Sequence, residues 1–293
     1  MGIHDLLPFL RKESPLAFKS FAAWFENNKK LKEENIKIKV AIDVPIFMYK
    51  FCYALGTTGV PLINRMLKFN NELIEKNLDP IFIFDGKSLE AKNEERAKRF
   101  VSSLRTFELK QLKYQTAIFY SQLTDTQEEF EVERTVVPSG RPLKEDFEAL
   151  KLAFDLANIN YKTAKYEAEA LCSKLCNIGE VDGIITEDSD SLAYLCESVI
   201  INWNNEKEEV VNAKIAASQL QLTNEQFQDL CVLLGNDFNS RIKGLGPVKA
   251  YSALKKNGTL EKVLEMYPKF DFDNKERMYY CKSLFKNHCF EDE

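Results

Sequence analysis

Histidine is almost missing from this chain: His4 and His288 are the two among 293 residues. A His-rich metal centre is excluded, and a nucleophile triad is disfavoured because neither histidine sits in a recognisable catalytic context. Long apolar runs are missing too. No stretch approaches the ~18 apolar residues that a membrane span needs. The start MGIHDLLPFLRKE lacks the basic lead and apolar block of a secretory signal, so the expectation is a soluble, intracellular protein. The seven cysteines are odd in number and irregular in spacing, which suits reduced or buried thiols better than a disulfide framework. Cys281, His288 and Cys289 make only an isolated half-set of zinc ligands, and core packing is the better reading. Positive charge is not in surplus either: the formal net charge is −5, which by itself argues against a nucleic-acid partner. There is no internal repeat and no low-complexity linker.

What is present is a hydrophobic content of 45%, ample for the core of one large α/β domain or two smaller ones. The charge is also unevenly spread. Residues 86–115 carry Lys87, Lys92, Arg96, Lys98, Arg99, Arg105, Lys110 and Lys113 against Glu90, Glu94, Glu95 and Glu108. A second basic stretch, 236–262, holds Arg241, Lys243, Lys249, Lys255, Lys256 and Lys262 against Asp237 and Glu261. Two basic zones on an acidic chain suggest localised phosphate contacts, although charge counts alone favour solvated helix faces.

Three apolar runs share one design: IKIKVAID ends in Asp43, DPIFIFD in Asp85 and DGIITED in Asp188. Runs rich in Ile, Val and Phe with helical patterns between them predict buried strands of a parallel sheet, whose ligand sites lie beyond the carboxyl ends of the strands. Asp at a strand end or helix N-cap is ordinary turn chemistry taken singly; three together are harder to dismiss. Residues 24–36, WFENNKKLKEENI, resemble a charged surface loop, and LEAKNEERAKRFVSSLRTFELKQLKYQ has helix propensity with a weak core stripe, so it should project from the sheet. LKEDFEALKLAFDLANI predicts a helix, INYKTA a short strand, and YEAEALCSKLCNIG a helix closed by Gly179. From about 222 the pattern is helical: LTNEQFQDLCVLLG, with Thr223 and Gln226 as a capping box, then a turn containing Gly244 and Gly246, then a further helix. Helices around such a turn suggest a module for nucleic-acid backbone, while the bland alternative is a pair of glycines permitting positive φ.

The stretch GIITEDSDSLAY gathers Glu187, Asp188 and Asp190 where an apolar run ends. Like charges at contact distance repel wherever water is partly excluded, so such a cluster calls for a neutralising cation. Asp188 and Asp190 share a face if strand geometry persists; Glu167 and Glu169 can both lean over a helix end only from its first turn. Mg²⁺ takes oxygen ligands with few direct carboxylates, so an acidic set this large implies a pair of ions, an arrangement suited to in-line displacement at a phosphodiester.

The segments MGIHDLLPFL, VAIDVPIFMY, IFIFDGKSLEAKNEERAKR, YEAEA, IITEDSDSLAY and LLGNDFNSRIKGLGPVKA, in this order and spacing, resemble the flap-endonuclease/xeroderma-nuclease family of structure-specific 5′ nucleases over residues 1–270 or so. The resemblance implies an α/β, PIN-like core with a mostly parallel central sheet flanked by helices, a helical arch and a C-terminal helix-three-turn-helix. Its regions fall at 1–110 and 143–220 for the nuclease core, 90–135 for the arch and 221–293 for the C-terminal helices, within one compact catalytic domain. It assigns metal carboxylates to Asp43, Asp85, Glu167, Glu169, Asp188, Asp190 and Asp237, and catalytic cations near the scissile phosphate to Lys92 and Arg99. Tyr49 matches an aromatic that stacks on a base, and Gly2 a small N-terminus near DNA once Met1 is removed; Arg241, Ile242, Gly244, Gly246 and Lys249 match the backbone-gripping turn. Glu187 matches no metal role, and its loss is expected to matter least.

The implied cofactors are Mg²⁺ ions, replaceable by Mn²⁺, with K⁺ at the helix-three-turn-helix. The implied substrate is branched or nicked duplex DNA with a 5′ single-stranded end, handled by a monomer in replication, repair or recombination, in the nucleus of a eukaryote or the cytoplasm of an archaeon or virus host. DVP replaces a small-residue motif after Asp43, and the end FKNHCFEDE lacks a sliding-clamp peptide, so clamp binding is not expected. YEAEA with ITEDSD leans partly toward the exonuclease branch. Three other readings share the pattern: a nuclease-dead DNA-binding paralogue, which should have lost a ligand; an RNA-directed nuclease on the same metal core; and a four-way-junction resolvase, which would need a dimer.

Overall fold

A computed structural model describes residues 2–31, 36–89, 92, 141–203, 207–268 and 272–287. The arch expected over 90–135 lies outside the described residues except for Lys92, and Arg99 lies outside them. The chain forms two compact units: Met1–Ile46 with Leu73–Lys92 and Asn160–Glu293, and Phe47–Glu72 with Asn93–Ile159.

The strands are β1 (Phe18–Ser20), β2 (Ile38–Asp43), β3 (Leu78–Phe84), β4 (Tyr161–Thr163), β5 (Gly183–Ile185), β6 (Val199–Ile201) and β7 (Glu209–Val211). The helices are α1 (Leu6–Glu13), α2 (Phe21–Leu31), α3 (Val44–Leu55), α4 (Val60–Glu75), α5 (Lys144–Ala157), α6 (Ala168–Asn177), α7 (Asp190–Ala193), α8 (Ala213–Gln219), α9 (Asn224–Leu234), α10 (Pro247–Asn257), α11 (Leu260–Glu265) and α12 (Phe272–Lys286).

All seven strands form one sheet in the order β1-β7-β6-β5-β2-β3-β4. The pairings from β6 through β5, β2 and β3 to β4 are parallel, and β1-β7 and β7-β6 are antiparallel, so the mostly parallel sheet expected from the apolar runs is present. Strand β2 is central, and of its residues only Lys39 is exposed. Its Ile, Val and Ala side chains are buried because a parallel sheet is covered on both faces. One apolar core joins Leu6 and Leu10 of α1, Ile184 of β5, Val199 of β6, Phe227 and Leu233 of α9 and Phe285 of α12. Among the described residues no helix is long and apolar enough to cross a membrane.

One sequence expectation fails here. Residues 24–36 are not a surface loop from their start, because α2 runs to Leu31. Its buried Phe21 and Trp24 lie one turn apart, and Trp24 Nε1 donates to Ser198 Oγ at 3.0 Å. The apolar pair precedes the charged run, so a window opened at Trp24 misses half of the helical stripe.

In the second unit, Phe47 and Phe51 of α3 meet Phe69 of α4 with ring centroids 4.6 and 5.4 Å apart, and the Arg65 guanidinium lies 4.0 Å over Phe51. Asp146 in the first turn of α5 takes the N–H groups of Leu143 and Gly59, each at 2.7 Å.

The C-terminal helices begin with the expected capping box, Gln226 N donating to Thr223 Oγ1 at 3.1 Å and Thr223 N to Gln226 Oε1 at 3.0 Å. Gly244 has φ +82°, but Gly246 has φ −79° and serves as the N-cap before Pro247 of α10. Cys281 is buried, with Asn236 Nδ2 3.2 Å from its sulfur.

Candidate metal centre

The parallel register pairs Ile42 of β2 with Ile185 of β5, so both strands deliver their next residues to the same edge. There Thr186 Oγ1 donates to Asp43 Oδ2 at 2.9 Å and accepts from Asp188 N at 3.0 Å. Asp190 N then donates to Asp188 Oδ1 at 3.0 Å. The condition under which Asp188 and Asp190 would share a strand face is not met: β5 stops at Ile185, and α7 starts at Asp190 after a turn. The turn and its hydrogen bonds, not strand alternation, bring the two aspartates together.

The chain start is fitted into this turn. Ile3 N donates to Ser189 Oγ at 2.8 Å. Gly2 has φ +95°, and a Cβ there would overlap Asp188 Oδ1 and Ser189. Only glycine fits both the backbone and the space.

The glutamates arrive from the other side of β2. After β3, Gly86 N donates to Tyr166 O at 2.8 Å and Lys87 N to Lys165 O at 2.9 Å. Asp85 Oδ1 accepts from Ala168 N, the first residue of α6, at 2.9 Å. Glu167 is the extended N-cap of α6 and Glu169 sits in its first turn, the one placement from which both can lean over the helix end.

Oxygens of Glu169, Asp188 and Asp190 lie within 4.8 Å of one another, and all three residues are buried. Among the described residues, neither Asp190 oxygen has a hydrogen-bond partner. Lys92 is buried at the cluster, with Nζ 2.6 Å from Glu167 Oε2, 3.3 Å from Glu169 Oε1 and 4.6 Å from the Phe238 ring centre. Burial pushes the Asp43 carboxyl up to about 8, with Asp85 and Asp188 adding repulsion. Burial likewise holds Glu169 and Asp190 well above the carboxylate range, and Asp188 above it to a lesser degree. Lys92 stays charged although burial opposes it, because Glu169, Glu167, Asp190 and Asp237 surround it.

A hard divalent cation suits this donor set. The ligands are all carboxylate oxygens, the trio is compact, and the buried oxygens of Asp190 have no protein donor to satisfy them. Around the trio stand the other assigned acids. Asp43 is buried at the end of β2, Asp85 is exposed beside it, Glu167 is buried, and Asp237 is half-buried and acts on Asp188, Asp190 and Lys92.

Other sequence-assigned residues are placed as follows. Tyr49 lies on α3, half-buried, its ring 6.4 Å from that of Tyr53. Arg241 is exposed and pairs with Asp5 at 2.8 Å, Ile242 is buried, and Lys249 is exposed in the first turn of α10. Sequence reasoning missed Thr186 and Ser189. Their signal was a hydroxyl on either side of the acid pair in ITEDSD, where side chains bond to nearby backbone. Glu187 turns away from the cluster: its carboxylate accepts from Asn202 N at 3.2 Å and Trp203 N at 3.1 Å.

A mostly parallel sheet with buried carboxylates collected beyond its strand ends is a layout that can hold a metal for the hydrolysis of phosphate esters. The XPG N-terminal domain matches residues 1–106 and the XPG I-region matches residues 158–237. Flap endonuclease 1 of Tetrahymena thermophila is 31% identical over 285 residues, covering 90% of this chain and 68% of the relative. The chain belongs to the flap-endonuclease/XPG family and is a nuclease. Its fold is similar to the catalytic core of Rad2 solved with a DNA substrate, at a TM-score of 0.64 and 21% identity over 100% of this chain and 81% of that one. It is also similar to flap endonuclease-1 from Methanococcus jannaschii, at a TM-score of 0.61 and 20% identity over 92% of this chain and 81% of that one.

Proposed function

We propose that the chain is a Mg²⁺-dependent, structure-specific 5′ nuclease that hydrolyses phosphodiester bonds in DNA, releasing 5′ flaps and degrading 5′ ends. The observation that carries this reading is the buried trio of Glu169, Asp188 and Asp190, with both Asp190 oxygens unpartnered. These three, with Asp43, Asp85, Glu167 and Asp237 around them, would hold the ions. A pair of divalent ions, when bound, supplies the charge and Lewis acidity that in-line displacement at a phosphodiester needs.

The protein's own groups do the rest. Thr186 fixes the Asp43 carboxylate and the Asp188 backbone with one hydroxyl, so two ligands move together. Asp85 caps α6 and thereby sets the glutamates beside the aspartates. Lys92 holds a positive charge against Glu167 and Glu169, where it can also meet a phosphate oxygen and stabilise charge developing on it; Arg99 would be its partner. Exposed Arg241 and Lys249, with the N-terminus of α10 and the Gly244 turn, suit duplex phosphates; the K⁺ ion that the family resemblance implies would belong to this turn. Tyr49 would stack on a base. The Rad2 core solved with a DNA substrate supports DNA as substrate, and the name of the flap endonuclease relative supports a branched one.

The test is cleavage of a labelled 5′-flap duplex with Mg²⁺, with EDTA, and by Asp188→Ala. Nick, gap, single-strand, four-way-junction and RNA-flap substrates run beside it. Flap cleavage with Mg²⁺ alone, lost in Asp188→Ala, is expected. Wild-type inactivity on every DNA substrate with Mg²⁺ would sink the reading, and preference for the RNA flap would transfer it to RNA.

A further inference from the structure

Asp5 breaks two local rules at once. It is the residue before α1, where an aspartate ordinarily accepts an N–H of the first turn, yet its carboxylate makes no such bond. Its backbone is also left-handed, with φ 57° and ψ 10°, a conformation that glycine adopts more readily. A glycine in its place would relieve the backbone and give up no cap. The carboxylate is turned to Arg241 instead, whose Nη1 donates to Asp5 Oδ2 at 2.8 Å. That bridge does not explain the choice on grounds of stability. The two side chains are 46% and 58% exposed, and an ion pair so open to water contributes little to folding.

The backbones that carry the pair are fixed. His4 N donates to Gly235 O at 3.0 Å and Phe9 N to Asp5 O at 3.2 Å. Gly235 has φ +81°, and a Cβ on it would meet Arg241 N at 2.8 Å, so the end of α9 lies against Arg241 backbone to backbone. Asn274 of α12 clamps the residue before Arg241: Ser240 N donates to its Oδ1 at 3.1 Å, and its Nδ2 donates to Ser240 O at 3.2 Å. Opening the bridge therefore requires movement of two exposed side chains and nothing else. Lys243 and Lys249 are exposed on the same turn without a carboxylate partner among the described residues, so of these three cations only Arg241 faces an internal anion. Arg241 offers Asp5 one nitrogen, whereas a guanidinium can take a phosphate with two parallel bonds.

We propose that Asp5 stands in for a DNA phosphate at Arg241, so that duplex must displace it and Asp5 sets how tightly the C-terminal turn grips duplex. The inference rests on the reading of Arg241 as a duplex-phosphate contact. In the free protein the carboxylate occupies the guanidinium; on binding, the phosphate takes over and Asp5 is released to water. Without Asp5, two effects act in one direction: the competitor is gone, and one fewer negative charge faces the DNA.

The test is the affinity of the whole protein for a fluorescent blunt duplex, read by anisotropy in EDTA so that no cleavage intervenes. Asp5→Gly should bind about 2- to 5-fold more tightly than wild type, the range that an exposed ion pair allows. Arg241→Ala should bind at least ~5-fold more weakly. Adding Asp5→Gly to Arg241→Ala should change affinity by less than about 1.5-fold, because the competitor then has nothing to compete for. Unchanged or weaker binding by Asp5→Gly overturns the proposal, weaker binding meaning that Asp5 positions Arg241 for the phosphate. An equal gain with and without Arg241 also overturns it, since that would be the field of one charge and no exchange of partners. Should Asp5→Gly fail to fold, Asp5→Asn carries the same comparison, because asparagine suits the left-handed backbone and lacks the charge. Flap cleavage by the wild type, run separately with Mg²⁺, tells the two failures apart. An active nuclease whose affinities contradict these values loses this inference alone, and an inactive one loses the nuclease reading whatever the affinities.

Discussion

Asp190 is fully buried, without a donor to either oxygen among the described residues, and feels the charges of Asp188 and Asp237. A carboxylate in that position costs stability unless a cation arrives, because desolvation and like-charge repulsion act together. Asp190→Asn should therefore raise the melting temperature of the metal-free protein by a few degrees, about 1–3 kcal/mol, while erasing most of the rise that Mg²⁺ produces. Scanning fluorimetry with and without Mg²⁺ reads both effects, and a lower metal-free melting temperature would contradict the argument. Lys92 has the opposite sign. Its ammonium is the counter-charge for Glu167 and Glu169, so Lys92→Met should destabilise the metal-free protein by roughly 3–5 kcal/mol, with Mg²⁺ restoring part of it. Equal stability of the variant and wild type without metal would show that the buried pair contributes nothing. Glu187, beside Asp188 in sequence, accepts two backbone N–H groups instead. Glu187→Ala should cost about 1–2 kcal/mol in urea denaturation and leave cleavage within a few-fold, whereas loss of cleavage comparable to Asp188→Ala would put it back in the site.

At the scale of elements, the site depends on how strand exits meet helix starts. Gly86 shows how tightly: a Cβ there would overlap the carbonyl oxygen of Ala164 and press on that of Lys165 at 2.5 Å. The strand exit after β3 and the chain entering α6 touch backbone to backbone, which holds Asp85 against the start of α6. Gly86→Ala should part them, costing at least 1–3 kcal/mol, the usual range for about one methyl too many. Gly246→Ala is the control, since nothing lies within 4 Å of its Cβ and its φ is −79°. Urea denaturation should separate the two variants, and equal midpoints would remove the close approach from the argument. Much of this level was legible in the chain. The ends of β2, β3 and β5 show as apolar runs stopping near Asp43, Asp85 and Asp188, and the capping box of α9 shows as Thr223 with Gln226. The rest depended on context that periodicity does not carry. Helix α2 is hidden because its buried face needs only Phe21 and Trp24, and the Thr186–Ser189 turn is invisible because its partners, Asp43 and Ile3, are far off in sequence.

For the molecule as a whole, a net charge of −5 understates how negative the carboxyl edge of its sheet is, and that edge should couple folding, protons and metal. Asp43 titrates at about 8 in the folded protein, and Asp188, Asp190 and Glu169 are raised as well. An unfolded carboxyl titrates near ~4, so between about 4 and 8 the native state holds a proton on Asp43 that the unfolded chain has released. Stability of the metal-free protein should accordingly fall as pH rises through that window and level off above it. Metal binding requires the same carboxylates to be deprotonated, so Mg²⁺ should displace protons and bind more tightly as pH rises. The gap in melting temperature between Mg²⁺-bound and metal-free protein should therefore widen from about pH 6 to about pH 8. Titration calorimetry in buffers of different ionisation enthalpy should show protons released on binding, fewer at the higher pH. A gap that stays constant across this range, with no proton release, would mean that the carboxylates are already charged without metal, and that Lys92 alone offsets their repulsion.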